Sequence, residues 1–346
     1  MKTSPRTTPP GADFDKRALQ AALAPHQAPV LGRSLGQIAS TFLPFFAVVA
    51  AMYLLRGVSV WLTLALSLPA AGLIVRIFII QHDCGHGAFF RNRTANMWVG
   101  RFCSLFTMTP YAHWRRHHSV HHAEWNNLDL RDRGADIYST ILTVAEYRAL
   151  PPLRRAGYRV LVHPLVAQVL LPPVVFMLLF RIPFDTPRAW RKEIWSVLLT
   201  DLGLAGLFTV LVLLLGAGPV ALVQLPTMAM AAILGVSLFS VQHRFEHALW
   251  ARQADWTPAG AALLGSSYLH LPRVLQWFSG NIGFHHMHHL LPRVPNYRLE
   301  ACHRACAGMA PAAPPMSFWQ AWRAPGYALW DEDKARLVRF ADLRAA

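Results

Sequence analysis

The sequence predicts an all-α integral membrane protein with four transmembrane helices arranged in two hairpins. Of its 346 residues, 54% are hydrophobic and 15% are charged, whereas a soluble domain contains about 25% charged residues. Four apolar runs, at 37–55, 58–80, 195–217 and 219–241, have about the length that a helix needs to cross the hydrocarbon core of a bilayer. Only a few residues separate the two runs of each pair, which indicates two helical hairpins.

Positive charge is distributed unevenly along the chain. The formal net charge is +15 at pH 7, and lysines and arginines concentrate at 1–36, 81–160 and 242–346. The turn between the first two apolar runs contains only Arg56. Because cytoplasmic loops of membrane proteins carry an excess of lysine and arginine, this pattern predicts a helical cytoplasmic cap made of 81–160 and 242–346. No basic face with a nucleic-acid motif is present, so nucleic acid is not an expected partner.

The sequence predicts a flexible N-terminal tail at 1–32, followed by a single domain at 33–346. The first residues, MKTSPRTTPPGADFDK, contain no apolar run of the kind found in signal peptides. They are polar and rich in proline, which is typical of a disordered segment.

Eight histidines recur at helical spacing in three clusters. The clusters are His82 and His86; His118, His121 and His122; and His285, His288 and His289. Residues three and four apart lie on one face of a helix, so the imidazoles of each cluster point together. Imidazole binds iron, zinc, copper and nickel. Because eight ligands are more than one ion accepts, the sequence predicts a di-metal site held by the cytoplasmic cap.

A ninth ligand is predicted at the end of the last apolar run. The segment QHRFEH offers His243 and His247 four residues apart, and we favour His243 because it follows the run directly, with His247 as the alternative. A ligand histidine usually donates its second N–H to a carboxylate. The carboxylates predicted for this role are Asp83, Asp129, Asp132, Asp136, Asp201 and Glu246. The remaining histidines, including His113, His117 and His286, are predicted to be ordinary solvated or hydrogen-bonded side chains.

A fifth apolar stretch, 161–180, is predicted to be interfacial or re-entrant rather than transmembrane. It contains His163, Pro164, Pro172 and Pro173, and proline removes backbone hydrogen bonds that a membrane-spanning helix needs. A full crossing would put the second and third histidine clusters on opposite sides of the membrane. This placement assumes that the clusters share one site.

Four segments of the sequence resemble the membrane fatty acid desaturase family, and within it the bacterial and plastid acyl-lipid desaturases of the delta-12/omega-6 type. They are HDCGHGAFF, HWRRHHSVHHAEWNNLDLRDRGADIYSTILTVAEY, VQHRFEHALW and GNIGFHHMHHLLPRVPNYRL. The resemblance extends over most of the chain, from position 81 to about 299. The three histidine boxes together are specific for the superfamily.

The resemblance implies four transmembrane helices and a cytoplasmic di-iron centre in a bacterial inner-membrane protein. It implies an enzyme that removes two hydrogens from a membrane-associated acyl chain, with O2 as co-substrate and electrons from ferredoxin or a similar donor. The eight clustered histidines match the family's ligands, no catalytic residue is expected beyond the metal ligands, and His243 matches an additional histidine of the family. His247 departs from the pattern, because related sequences often have an acidic or amide residue there.

Two other functions are compatible with the sequence. One is a membrane di-iron hydroxylase acting on alkanes, carotenoids or sphingolipids, which would be distinguished by a hydroxyl group in the product instead of a double bond. The other is a non-enzymatic membrane protein, either a bis-histidine haem protein or a metal transporter. A transporter places its ligands near the midplane of the bilayer, whereas these clusters are predicted at the membrane edge.

Overall fold

The structure is a computed structural model that describes residues 15–131, 141–310 and 314–343, with the side chain of Lys16 left aside. Its α-helices are α1 (Lys16–Leu23), α2 (Leu31–Leu55), α3 (Val60–His86), α4 (Arg93–Thr107), α5 (Tyr111–Glu124), α6 (Val144–Ala149), α7 (Pro152–Leu161), α8 (Leu171–Met177), α9 (Arg191–Leu215), α10 (Ala217–His243), α11 (Pro258–Leu263), α12 (Arg273–Phe278), α13 (His285–Leu290), α14 (Leu299–Ala305) and α15 (Phe318–Arg323). The fold is therefore mostly helical, as the sequence predicts.

Four of these helices, α2, α3, α9 and α10, are long and apolar enough to cross a membrane. They correspond to the four predicted apolar runs and fit a membrane protein. α3 and α10 continue beyond the predicted limits at 80 and 241, because the histidine segments that follow are also helical. Gly87 ends α3 immediately after His86 in a left-handed conformation with φ of 67°, which glycine adopts without steric cost.

α3 is the central helix of the bundle. It buries 61% of its most apolar stretch, whereas α2, α9 and α10 bury 22%, 17% and 33%. It packs against α2, α4 and α10, and its N-terminus is capped by the Ser59 side chain. Leucines of the outer helices, such as Leu54 and Leu213, are largely exposed, as expected for side chains that face lipid.

The stretch predicted as interfacial or re-entrant is helical but bent. α7 and the helical segment Val166–Arg181 meet at an angle of 53°. Pro164 lies in the break between them, where its missing N–H interrupts the helical hydrogen bonds. The bent pair is compatible with a broken span or a re-entrant segment, so the predicted placement of 161–180 stays a prediction.

Part of the segment predicted as a flexible tail, 1–32, is helical: α1 occupies Lys16–Leu23, whereas residues 1–14 lie outside the described part. Asp15 caps α1 by accepting hydrogen bonds from Arg17 N and Ala18 N at 2.9 and 3.0 Å. Leu19 and Leu23, one turn apart, are buried in an apolar cluster that includes residues of α14. The cap and the apolar pair fold this segment onto a distant part of the chain.

Two small sheets connect distant segments beyond the apolar helices. The strands are β1 (Leu142–Thr143), β2 (Tyr268–Leu269), β3 (Pro315–Met316), β4 (Leu329–Asp331) and β5 (Arg336–Val338). β4 pairs with β1 in parallel and with β5 in antiparallel orientation, and β2 pairs with β3 in parallel. The predicted all-α class therefore needs this correction, which the two- and three-residue strands were too short to indicate in the sequence.

Candidate metal centre

Nine imidazoles converge where α3 and α10 end. Five of them form group A, in which every ligand nitrogen lies within 4.8 Å of the others; its members are His82, His86, His118, His122 and His288. The other four form group B, whose members are His121, His243, His285 and His289. The structure thus brings together all eight predicted box histidines and His243, whereas His247 is exposed to solvent.

Helix geometry explains how two short helices contribute to both groups. Residues i and i+4 of a helix lie nearly above one another, whereas residue i+3 points to the side of the line that joins them. α5 gives His118 and His122 to group A and His121 to group B, whereas α13 gives His288 to group A and His285 and His289 to group B. α5 and α13 therefore lie between the two groups and hold them side by side.

The distances between facing nitrogens match the spacing of ligands on one metal ion. Metal–nitrogen bonds of about 2.1 Å place two ligands roughly 3.0–3.4 Å apart in octahedral or tetrahedral geometry. In group A the Nε2 atom of His118 lies 3.0 Å from that of His86 and 3.1 Å from that of His122. In group B the Nε2 atom of His243 lies 3.1 Å from His121 and 2.9 Å from His285. Each group can hold a metal ion.

The protonation of these histidines favours ligation. Burial, followed by the charge of neighbouring imidazoles, lowers the pKa of His118, His122, His288 and His289 well below the usual range. The same two effects lower the pKa of His121 to about 3. The rings are therefore neutral at physiological pH, which is the form in which imidazole binds a metal.

Asp83 is the predicted carboxylate that contacts a cluster histidine. Its Oδ1 lies 3.3 Å from His82 Nδ1, and its Oδ2 accepts hydrogen bonds from the backbone N and the Nδ2 of Asn296 at 2.7 and 2.8 Å. Gln37 donates in turn to Asn296 Oδ1 at 3.1 Å. Sequence reasoning missed Asn296 and Gln37, although Asn296 lies in the quoted segment LLPRVPNYRL.

The three other predicted carboxylates that the structure describes form ion pairs with arginines. Asp129 pairs with Arg252 at 2.9 Å, Asp201 with Arg181 at 2.7 Å and Glu246 with Arg336 at 2.6 Å. These contacts hold segments of the fold together, and a role of these three side chains in orienting ligands stays a prediction. Asp132 and Asp136 lie outside the described residues.

Aromatic side chains cover the histidines and were also missed. Trp114 stacks on His118 with ring centroids 4.6 Å apart, and Trp125 lies 4.0 Å from His243. Both tryptophans are one helical turn from a box histidine, Trp114 before His118 and Trp125 after His121. That spacing is the signal that could have identified them.

An apolar cavity of about 220 Å³ leads to the histidines. It lies between α3, α5, α8 and α10, and its walls include Phe78, Phe176, Phe180 and Phe239. His118 of group A and His121 of group B also line it, together with Trp114. A long, narrow hydrophobic molecule in this cavity would therefore lie next to both candidate metal positions.

The histidines that the sequence did not assign to the clusters have other partners. His113 Nε2 lies 2.9 Å from Asp185 Oδ1, and His117 Nε2 lies 3.6 Å from Asp185 Oδ2. His286 Nε2 lies 3.0 Å from His303 Nδ1. These contacts agree with the expected hydrogen-bonded histidines, but Asp185 was not anticipated as their partner.

Comparison with known proteins identifies the family. A family model for fatty acid desaturases matches residues 59–321, a range that includes all nine clustered histidines. The chain belongs to the fatty acid desaturase family. It is 38% identical over 329 residues to a fatty acid desaturase of Bacillus subtilis, an alignment that covers 95% of this chain and 92% of that protein. This desaturase is therefore an enzyme, an oxidoreductase, as the sequence resemblance implied.

Other relatives are named for their lipid substrates. The chain is 27% identical over 231 residues to the sn-1 oleoyl-lipid 12-desaturase of Synechocystis sp., covering 65% of this chain and 63% of that protein. It is also 27% identical over 259 residues to the chloroplastic sn-2 acyl-lipid omega-3 desaturase (ferredoxin) of Helianthus annuus, covering 69% of this chain and 54% of that protein.

Proposed function

We propose that this desaturase binds two iron ions through nine histidines and uses O2 to introduce a double bond into a membrane-associated acyl chain. The observation that carries the proposal is the convergence of two imidazole groups beside an apolar cavity that His118 and His121 line. Group A would hold one iron and group B the other, with His243 rather than His247 as the ninth ligand. Neutral imidazole suits iron, and the family is one of desaturases.

The bound irons would supply the activation of O2 and the oxidation of an unactivated methylene. The residues of the chain perform the other tasks. Phe176, Phe180 and Phe239 line the cavity, so they exclude water and hold an acyl chain extended toward the histidines. Asp83 accepts from His82 and fixes the orientation of that ring, and Trp114 limits the movement of His118.

The positions of the histidines and of the cavity support a substrate that enters from the bilayer. The cavity is bounded by two of the helices that are long enough to span the membrane, α3 and α10. An acyl lipid would reach it without crossing water. The positive-inside pattern favours a cytoplasmic location for the histidine groups and for the segments 81–160 and 242–346, in a multi-pass protein of the bacterial inner membrane.

We further propose a ferredoxin-like or other acidic electron donor. An open groove beside α5 is lined by three basic residues, Arg115, Arg116 and Lys192, and by two acidic ones, Glu124 and Glu193, so basic side chains are in excess. Arg115 and Arg116 lie within one turn of His118. The named electron donor of the sunflower relative is ferredoxin. Opposite charge on two surfaces steers their association.

Expression in a bacterial host that lacks polyunsaturated lipids tests the proposed reaction. Gas chromatography of total fatty acids should reveal a new unsaturated product in cells that contain the full chain. His121→Ala should abolish the product, because it removes a group B ligand. His247→Ala is the matched control and should retain it, since His247 is exposed and outside both groups.

A hydroxylated fatty acid as the main product would instead support the alternative of a membrane hydroxylase. Undiminished product from His121→Ala would contradict the assigned ligand set. Iron content of the purified protein gives an independent measurement, with about two irons per chain expected for the intact protein. Protein without bound iron would contradict the proposed cofactor.

A further inference from the structure

A third cluster of side chains that could bind a metal lies beside α5, and it shares no residue with the two histidine groups. His113 and His117 are four residues apart and share a face of the helix, and Asp185 approaches them from the chain that follows Val166–Arg181. Their ligand atoms all lie within 4.8 Å of one another. The nine-histidine centre uses none of these three residues.

The geometry of this cluster fits one metal ion. Nε2 of His113 lies 2.9 Å from Asp185 Oδ1, and Nε2 of His117 lies 3.6 Å from Asp185 Oδ2. Zinc bonds of about 2.0–2.2 Å to nitrogen and oxygen place neighbouring ligands roughly 3.4 Å apart in a tetrahedral site. Two histidines at i and i+4 on a helix are also the spacing with which helices present zinc ligands.

The surroundings provide both a fixed carboxylate and a path for the ion. Thr186 Oγ1 donates a hydrogen bond to Asp185 Oδ1 at 3.2 Å, which orients the carboxylate. The His113 side chain is 5% exposed, whereas those of His117 and Asp185 are 20% and 35% exposed. An ion can therefore reach the cluster from solvent and retain a position for water.

We propose that His113, His117 and Asp185 bind one Zn²⁺ ion, distinct from the metal ions of groups A and B. Two imidazoles and one carboxylate suit zinc, and three protein ligands leave one tetrahedral position open. All three residues also line the apolar cavity. The ion would join the segment after Arg181 to α5 at the rim of that cavity, with its open position available to water or to an oxygen of a bound ligand.

Zinc stoichiometry of the purified full chain in detergent tests this site. The protein is stripped with chelator, equilibrated with Zn²⁺ alone, desalted and analysed for zinc by mass spectrometry. Asp185→Asn should bind one zinc fewer per chain than the unmodified protein, whatever number groups A and B accept. Asp255→Asn changes an exposed carboxylate elsewhere and should leave the count unchanged.

A rescue variant separates metal binding from a purely hydrogen-bonding role. Asp185→Cys offers a thiolate, which binds zinc well but is a poor substitute for the carboxylate in its hydrogen bonds to His113 and Thr186. It should restore the zinc that Asp185→Asn loses. Equal zinc counts in the unmodified protein and in Asp185→Asn, or a deficit that Asp185→Cys does not reverse, would overturn the proposal.

This inference does not depend on the proposed function. Loss of zinc in Asp185→Asn with no fatty acid product from the intact protein would support the third site and contradict only the reaction. A normal fatty acid product together with equal zinc counts in the unmodified protein and in Asp185→Asn would support the reaction and contradict only the third site. Each measurement can therefore contradict one proposal without contradicting the other.

Discussion

Histidines on neighbouring turns of α5 differ in their partners, and the partner determines what each can do. His121 faces the imidazoles of group B, whereas His113 faces a carboxylate. Neutral imidazoles that face one another can each present a nitrogen lone pair to the same point, so group B could hold a metal ion. His113 and His117 instead share the carboxylate of Asp185, and a metal ion bound there would replace the hydrogen bond between His113 and Asp185.

The contact between Asp83 and His82 predicts an effect on metal affinity. Asp83→Asn replaces a charged acceptor by a neutral amide and disturbs the hydrogen bonds from Asn296, so we expect iron affinity to fall about 10–100-fold. Iron retained per chain after dialysis against graded concentrations of chelator measures the change. Asp129→Asn is the matched control, because Asp129 pairs with Arg252 and should leave iron affinity unchanged. Similar retention in both variants would show that Asp83 does not orient a ligand.

A single face of α10 connects the cavity to the metal centre. Met228, Ala232, Val236 and Phe239 recur every three or four residues and line the cavity. The same spacing ends at His243 of group B. Residues three and four apart share a face of a helix. A larger side chain on this face of α10 therefore narrows the part of the cavity that lies along the same face as the candidate metal site.

This arrangement predicts that Ala232 limits the length of the acyl chain. Ala232→Phe should fill part of the cavity and reduce product from the longest native acyl chain at least about tenfold, with less effect on shorter chains. Gas chromatography of a mixed-chain host gives the product ratio. Ala221→Phe, at an exposed position of α10, is the control and should preserve that ratio. A uniform decrease for all chain lengths would instead indicate a folding defect.

The long helices and the histidine boxes were predictable because their signals are local. Apolar runs indicate α2 and α10 directly, and the spacing of His118, His121 and His122 indicates a helix that presents all three imidazoles on adjacent faces. His243 was preferable to His247 for the same reason, since it continues the helix of the last run. Each of these inferences needs only residues within a few turns of one another.

Contacts between distant segments were not predictable in this way. Nothing near His113 indicates that Asp185 is its partner, because the two are separated by 72 positions. The arginine partner of Asp129 is 123 positions away, so proximity in sequence to the boxes could not indicate this contact. α1 was assigned to a tail because its two buried leucines become significant only when it packs beside α14.

The molecule as a whole has a buried central helix and an unequal distribution of charge at its two ends. α3 is surrounded by other helices and ends in two histidines of group A, His82 and His86. The connections at Arg56–Ser59 and Gly216 are short, whereas the segments at the opposite end contain most of the arginines. That asymmetry favours one orientation in the membrane.

Cysteine labelling of whole cells tests this orientation, because all four natural cysteines are buried and should not react in the folded protein. Val58→Cys, at a residue that is 77% exposed, should react with an impermeant maleimide added outside intact cells. Ser119→Cys and Ala301→Cys, at exposed positions of α5 and α14, should react only after the cells are made permeable. The physical reason is that arginine-rich segments are expected to remain in the cytoplasm, and α5 and α13 must lie on one side for groups A and B to form. Labelling of Ser119→Cys and Ala301→Cys from opposite sides would be incompatible with a shared metal centre, and labelling of both from outside would reverse the orientation while leaving the centre intact.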